Sequence, residues 1–233
     1  MTIPVTKTRK SEATRAHILD AALALFLERG FQETTMRAVA ERAGVSLGNA
    51  YYYFESKEHL VQAIYARTQL EHTAASAAIL AREDSLRERL RGVVHAKIDT
   101  LEPYHPFAAA LFRTAADPGS PLHPLSPEST PMREDAIAIF AATLDGVPTR
   151  IPDDLRAELP RLLWLYHLGV VLFWIHDASP GRRRTRRLID GTTDLVAGLV
   201  AIAGNPLLRS LRKRALRILK ESSHVEERRL TES

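Results

Sequence analysis

Residues 44–60, GVSLGNAYYYFESKEHL, set Tyr51, Tyr52 and Tyr53 side by side in a polar, glycine-punctuated segment. On a helix each residue advances the side chain by about 100°, so three neighbours cannot share one core-facing side. With Ala50 turned inward, Phe54 returns to about 40° and also faces the core. Tyr52 and Gly48 then point outward, at roughly 200° and 160°, with Asn49 and Tyr51 on the flanks and Tyr53 nearer the core edge. At least two phenolic rings are left facing solvent or a partner.

The flanking residues punctuate short helices. Ile18, Ala21, Ala22, Leu25 and Phe26 form one apolar stripe on a first helix over 12–29, which Gly30 ends. Thr35 is placed to cap a second helix whose inward positions are Met36, Val39, Ala40 and Ala43. Gly44 stops it, Ser46 caps the tyrosine helix, and Ser56 caps a fourth helix that starts at Lys57. Two short helices joined by Gly-Val-Ser predict a helix-turn-helix unit, whose second helix lies in the DNA major groove.

The exposed residue types suit that partner. Tyrosine offers a hydroxyl to phosphate oxygens and a flat face to sugars or thymine methyls. Gly48 lets the backbone approach closely, and Asn49 can both donate and accept at a base edge. Arg37 carries a guanidinium suited to phosphate or guanine, and Lys57 sits where free helix amides and an ammonium can share a phosphate. Lys7, Arg9 and Lys10 form a basic arm that tracks the backbone or minor groove, or a frayed tail. The competing structural reading is a helical hairpin with a tyrosine patch on its surface.

Together, ALFLERGFQETTMRAVAERAGVS and GNAYYYFESKEHL closely resemble the TetR family of transcriptional regulators. The matching residues are Gly30, Phe31, Thr34, Thr35, Ala43 to Ser46, Gly48, Tyr51, Phe54, Ser56, Lys57 and Glu58. Asn49 departs from a position where a hydroxyl residue is frequent, and Tyr53 from one where histidine is common. The resemblance implies an all-α protein: an N-terminal three-helix bundle carrying the helix-turn-helix over residues 1–58, and a larger helical ligand-binding and dimerisation domain over 59–233. It gives Thr35, Tyr51 and Lys57 phosphate-positioning roles and makes Arg37, Gly48, Asn49 and Tyr52 base or mixed contacts. Ser46 and Tyr53 complete the expected DNA-binding set. The implied partners are a palindromic double-stranded operator, a second copy of the chain and a small-molecule inducer. No membrane, metal or cofactor is expected.

Beyond residue 80 the periodicity stays helical, with helices expected near 84–101, 104–116, 132–145, 153–177, 182–203 and 206–221. Five prolines between Asp117 and Pro131 exclude helix and strand there, leaving a loop that serves as a surface linker or a lid. The 153–177 helix is apolar on nearly every side, so it and 182–203 suit a four-helix dimer interface. Gly169, Gly191 and Gly198 either permit close helix approach there or are incidental. Tyr104, Phe107, Phe112, Phe140, Trp164 and His167 are the candidate ligand-pocket residues, with core packing as the alternative for each. Leu208, Leu211, Ala215 and Ile218 form the expected packing stripe of the last helix.

Composition narrows the classes further. The chain has no cysteine, which excludes disulfides, thiolate metal sites and thiol nucleophiles. No phosphate loop, HExxH or compact carboxylate group marks a nucleotide enzyme or metalloenzyme. The most apolar run, 162–175, is shorter than the ~20 residues of a membrane span, and the polar N-terminus lacks a signal-peptide core. These features point to the cytoplasm. Residues 180–220 hold eleven basic and two acidic residues, whereas 1–60 hold eight and seven. Basic charge is therefore concentrated away from the tyrosine helix, on what reads as a solvated helical face. A helical enzyme or carrier, and a protein-interaction module using the tyrosine patch, remain the alternatives from other classes.

Overall fold

A computed structural model describes residues 5–218 and 221, with side chains from Lys10 onward. All regular elements among them are helical. They are α1 (Val5–Glu33), α2 (Met36–Arg42), α3 (Leu47–Tyr53), α4 (Lys57–Arg82), α5 (Leu86–Leu101), α6 (His105–Ala115), α7 (Thr130–Leu144), α8 (Asp153–Arg156), α9 (Leu159–Ile175), α10 (Arg183–Ile202) and α11 (209–218). The chain forms two compact units: residues up to His72 with Asp99–Asp135, and Thr73–Ile98 with the chain from Ala136 onward.

The first unit is built around α1. Ile18, Ala22, Leu25 and Phe26 are buried together with Val39 and Ala40 of α2, Ala50 and Phe54 around α3, and Leu60, Val61 and Ile64 of α4. Full burial of each large side chain contributes about 1.5–3 kcal/mol. Phe107, Leu111 and Ala115 on α6 join the same core. Helix α1 begins at Val5, earlier than residue 12, because no proline or glycine interrupts the chain between Val5 and Gly30. Gly30 itself has φ 82°, a conformation that L side chains rarely adopt, and it breaks the helix there.

Residues 116–129 form no helix or strand, but they are far from featureless. Ser120, His123 and Ser126 each donate a backbone N–H to the carbonyl three residues earlier, closing three successive turns. Pro118, Pro121 and Pro124 occupy the second position of those turns, where the fixed proline φ is already suitable. At each corner a side chain accepts from the amide two residues on: Asp117 from Gly119, Ser120 from Leu122, His123 from Leu125. Leu122 is buried in the first unit's core, and Gln62 of α4 donates to the Pro121 carbonyl at 3.3 Å. The segment is fastened to that unit by an apolar plug and a hydrogen bond.

In the second unit, α4 and α5 cross closely at Gly92, where an added Cβ would stand 2.7 Å from Ile79 Cγ2. Ion pairs tie α5 to α10: Arg87 Nε and Nη2 reach Asp194 at 2.5 and 2.6 Å, and Arg91 Nη2 reaches it at 2.8 Å. The expected 153–177 helix is interrupted at Ala157–Glu158, giving α8 and α9. Pro160 explains the break, since it lacks an amide donor and its ring clashes with the carbonyl one turn earlier. A 3-10 turn, Pro180–Arg182, precedes α10, and Asp177 caps that junction. Its carboxylate accepts from Ser179 N (2.9 Å), Thr185 N (2.9 Å) and Thr185 Oγ1 (2.7 Å). Burial raises that carboxyl, but the bonds from Ser179 and Thr185 outweigh it and hold the group well below the usual carboxylate range. Around α11 Leu216 is buried and Leu208 and Arg212 are half-buried, whereas Leu211, Ala215 and Ile218 of the expected stripe are exposed in the single chain. Arg212 anchors the packed side by pairing with Asp154 at 3.1 Å.

Candidate nucleic-acid interface

The short helices are set by their caps. Thr35 Oγ1 accepts from Ala38 N at 3.2 Å and starts α2; Ser46 Oγ accepts from Asn49 N at 3.1 Å and starts α3. Ser56 Oγ accepts from His59 N at 3.3 Å at the head of α4. Each bond satisfies an amide that the first helical turn leaves free. Gly44, at φ 62°, makes the turn between α2 and α3.

With α3 so placed, Ala50 and Phe54 point into the core, at 0% and 2% exposure, and Tyr52 stands 79% exposed. Tyr51 is 46% exposed, Tyr53 is half-buried, and Gly48 and Asn49 lie on the open side. Thr35, Arg37 and Ser46 are exposed as well. The surface therefore offers hydroxyl, amide and guanidinium donors around a helix with a bare glycine at its outer edge. Such a face can bond phosphate oxygens and approach base edges in a groove about 12 Å wide.

Beneath that face are clamps. The Lys57 ammonium donates to Phe31 O at 2.9 Å and Gln32 O at 3.2 Å, and sits 4.7 Å from the centre of the Phe31 ring. Two of its three N–H groups therefore hold the chain after the Gly30 kink, and one is left for another acceptor. The Tyr53 hydroxyl lies 3.1 Å from Ser11 Oγ on α1, and the Arg15 guanidinium covers the Phe54 ring at 4.8 Å. Ser11 and Arg15 were not among the expected site residues. Their spacing to Ile18 (i, i+4, i+7) is the signal, for it extends the first helix's packed stripe one turn towards the N-terminus. A surface cleft of about 400 Å³ opens at the end of α3, between Tyr52, Tyr53, His59 and Met132.

The expected ligand-pocket residues are divided between the units. Tyr104 and Phe107 pack in the first, edge to face with centroids 6.2 Å apart, and Phe107 meets Phe26 at 6.0 Å. Phe140, Trp164 and His167 are buried in the second, with the Phe140 and His167 rings 5.7 Å apart. Phe112 is 36% exposed. Burial lowers the Lys97 ammonium on α5 to about 8, bringing its loss of charge close to neutral pH. Among the described residues no group of three or more His, Asp or Glu side chains is arranged to hold a metal ion, and no single helix is long and apolar enough to cross a membrane.

Residues 18–64 match the family model for bacterial regulatory proteins of the tetR family, and residues 89–216 match the tetracyclin repressor-like C-terminal domain. The chain is 36% identical over 113 residues to the uncharacterized HTH-type transcriptional regulator YfiR of Bacillus subtilis, covering 44% of this chain and 53% of that one. It is 53% identical over 53 residues to the HTH-type transcriptional repressor KstR of Rhodococcus jostii, covering 23% of this chain and 25% of KstR. These matches therefore span about half of the first relative and a quarter of the second. The crystal structure of a TetR transcriptional regulator from Nitrosomonas europaea superposes with a TM-score of 0.63 at 20% identity, over 79% of this chain and 98% of that one. With a C-terminal domain match across more than half its length and a helix-turn-helix match ahead of it, the chain belongs to the TetR family of bacterial regulatory proteins.

Proposed function

We propose that this chain is a homodimeric transcriptional regulator of the cytoplasm, acting as a repressor. It reads a palindromic operator with α3 and leaves it when a small molecule binds the larger helical part. Residues 1–58 read the duplex, and residues 59–233 dimerise and respond. Thr35, Ser46, Tyr51 and the remaining donor of Lys57 hold phosphates, while Arg37, Gly48, Asn49 and Tyr52 address the groove. The observation that carries this reading is Tyr52, 79% exposed on a helix whose other face is sealed by Ala50 and Phe54. A large ring standing in solvent is unfavourable unless a partner covers it.

Two copies are required because one short helix reads too few base pairs for specificity. Helices α9 and α10 supply a surface for pairing. Leu165 and Leu172 on α9 are 44% and 39% exposed, with Gly169 between them on the same stripe. Leu195 and Ile202 on α10 are 62% and 54% exposed, and Gly191 and Gly198 fall on their stripe. An added Cβ at any of these three glycines would meet nothing within 4 Å, so a facing helix has room to approach the backbone. Repression accords with KstR, which is named a repressor. Ligand release requires only that the inducer bind the non-reading state more tightly.

The test is to select duplex fragments with the purified full chain and titrate the recovered sequence by fluorescence anisotropy. Tyr51→Ala and Tyr52→Ala are expected to weaken binding with melting temperature preserved. Parental affinity in both variants would remove α3 as the reading surface.

A further inference from the structure

Tyr53 stands apart from its two neighbours. Tyr51 and Tyr52 are open to solvent, whereas Tyr53 is half-buried and its hydroxyl already has a partner, Ser11 Oγ at 3.1 Å across 42 residues of sequence. Its ring meets Tyr52 edge to face, with centroids 5.2 Å apart and planes at 84°. One turn along α1 from Ser11, Arg15 lies over the Phe54 ring at 4.8 Å. The amino-terminal turns of α1 are thus bound along the end of α3 at two successive points.

We infer that Tyr53 is a positioning residue: its bond to Ser11 locks the start of α1 to the recognition helix, and its ring sets the attitude of Tyr52 towards DNA. Tyr52 has few other neighbours to restrain it, since most of its surface is free. An edge-to-face contact restricts the orientations such a ring can take, so fewer of them must be lost on binding. The same bond fixes the direction in which α1 presents exposed Lys10. Histidine, common at this position in the family, has a shorter reach and no phenolic oxygen. The Tyr53 hydroxyl therefore bolts α1 to the reading helix.

This inference rests on α3 being the reading helix, and a mutant cycle in the full chain separates the two. Ser11→Ala, Tyr53→Phe and the double variant are titrated with the selected operator and with a scrambled duplex. Each single variant should weaken operator binding about three- to tenfold, the worth of one ordinary hydrogen bond. The double variant should be no weaker than the singles, because they break the same bond. Scrambled-duplex affinity should fall less than operator affinity, because phosphate contacts do not depend on sequence. Additive losses would mean that Tyr53 touches DNA directly and would overturn the inference. Equal losses on both duplexes, or none on the operator, overturn it as well. If Tyr52→Ala weakens binding while Ser11→Ala and Tyr53→Phe do not, α3 still reads DNA and only the bolt is lost. If the parent selects no duplex at all, both fall together.

Discussion

Helices α3 and α9 are both rich in rings and poor in charge, yet they leave different chemistry at the surface. α3 exposes tyrosines, whose hydroxyls remain hydrated until a polar partner replaces the water. α9 buries Trp164 and Trp174 and exposes Leu165, Leu172 and Phe173, which have nothing to offer a phosphate. Hydrophobic content alone would not separate them. The position of each polar tip does, and on the proposed reading it suits the first face to a charged polymer and the second to another apolar helix.

The sharpest way to break this contrast is to place charge on the second face. Leu172→Asp with Leu195→Asp should abolish the dimer in sedimentation experiments. Operator affinity should fall by about a thousandfold or more, because a lone subunit reads one half-site. An intact dimer in that variant would mean that the exposed leucines are not the pairing surface. The next effect concerns the first unit's core. Leu122→Ala, at a site 2% exposed, should lower stability by about 3 kcal/mol in denaturant titration. A loss below about 0.5 kcal/mol would show that the proline segment merely rests on the unit.

Asp177 offers a smaller test in the second unit. Removing its three accepted bonds with Asp177→Ala should cost about 2 kcal/mol at neutral pH. Its folded pKa is depressed, so its contribution is complete above the ordinary carboxylate value near ~3.9 and is lost as pH falls below it. The parent should therefore lose melting temperature more steeply than the variant between about pH 4 and pH 2. Parallel curves would contradict the cap. Smallest is Tyr52→Ala, expected to weaken operator binding about tenfold, as one lost groove contact would, with stability unchanged. A drop in melting temperature instead would place that ring in the fold rather than at the interface.

The exposed face of α3 was legible because helical geometry is local. Ala50 and Phe54 inward, Tyr52 and Gly48 outward, and the Thr35, Ser46 and Ser56 caps all follow from spacing and residue type. The Ser11–Tyr53 bond was not, since no short-range pattern joins residues 42 positions apart. Lys57 shows the same limit: its charge was evident, but its engagement with the carbonyls after Gly30 depends on the chain's return path. The candidate pocket residues share a type and a helical setting, and type does not say which unit a ring joins. Tyr104 and Phe107 fall with the helix-turn-helix core, while Phe140, Trp164 and His167 do not. Pro160 divides the 153–177 helix, a local signal masked in sequence by the apolar run around it.

The proline corners of residues 117–126 have a consequence for how this loop tolerates change in length. Each ring is useful only at the second place of its turn, so the stretch counts in threes. Inserting one or two residues would open the turn that receives them, and would carry Leu122 out of register with its pocket while the tetrapeptides downstream keep their own corners. Inserting three would add one more corner and leave the rest undisturbed. The spacer is in effect ratcheted, adjustable in whole notches and resistant to anything between.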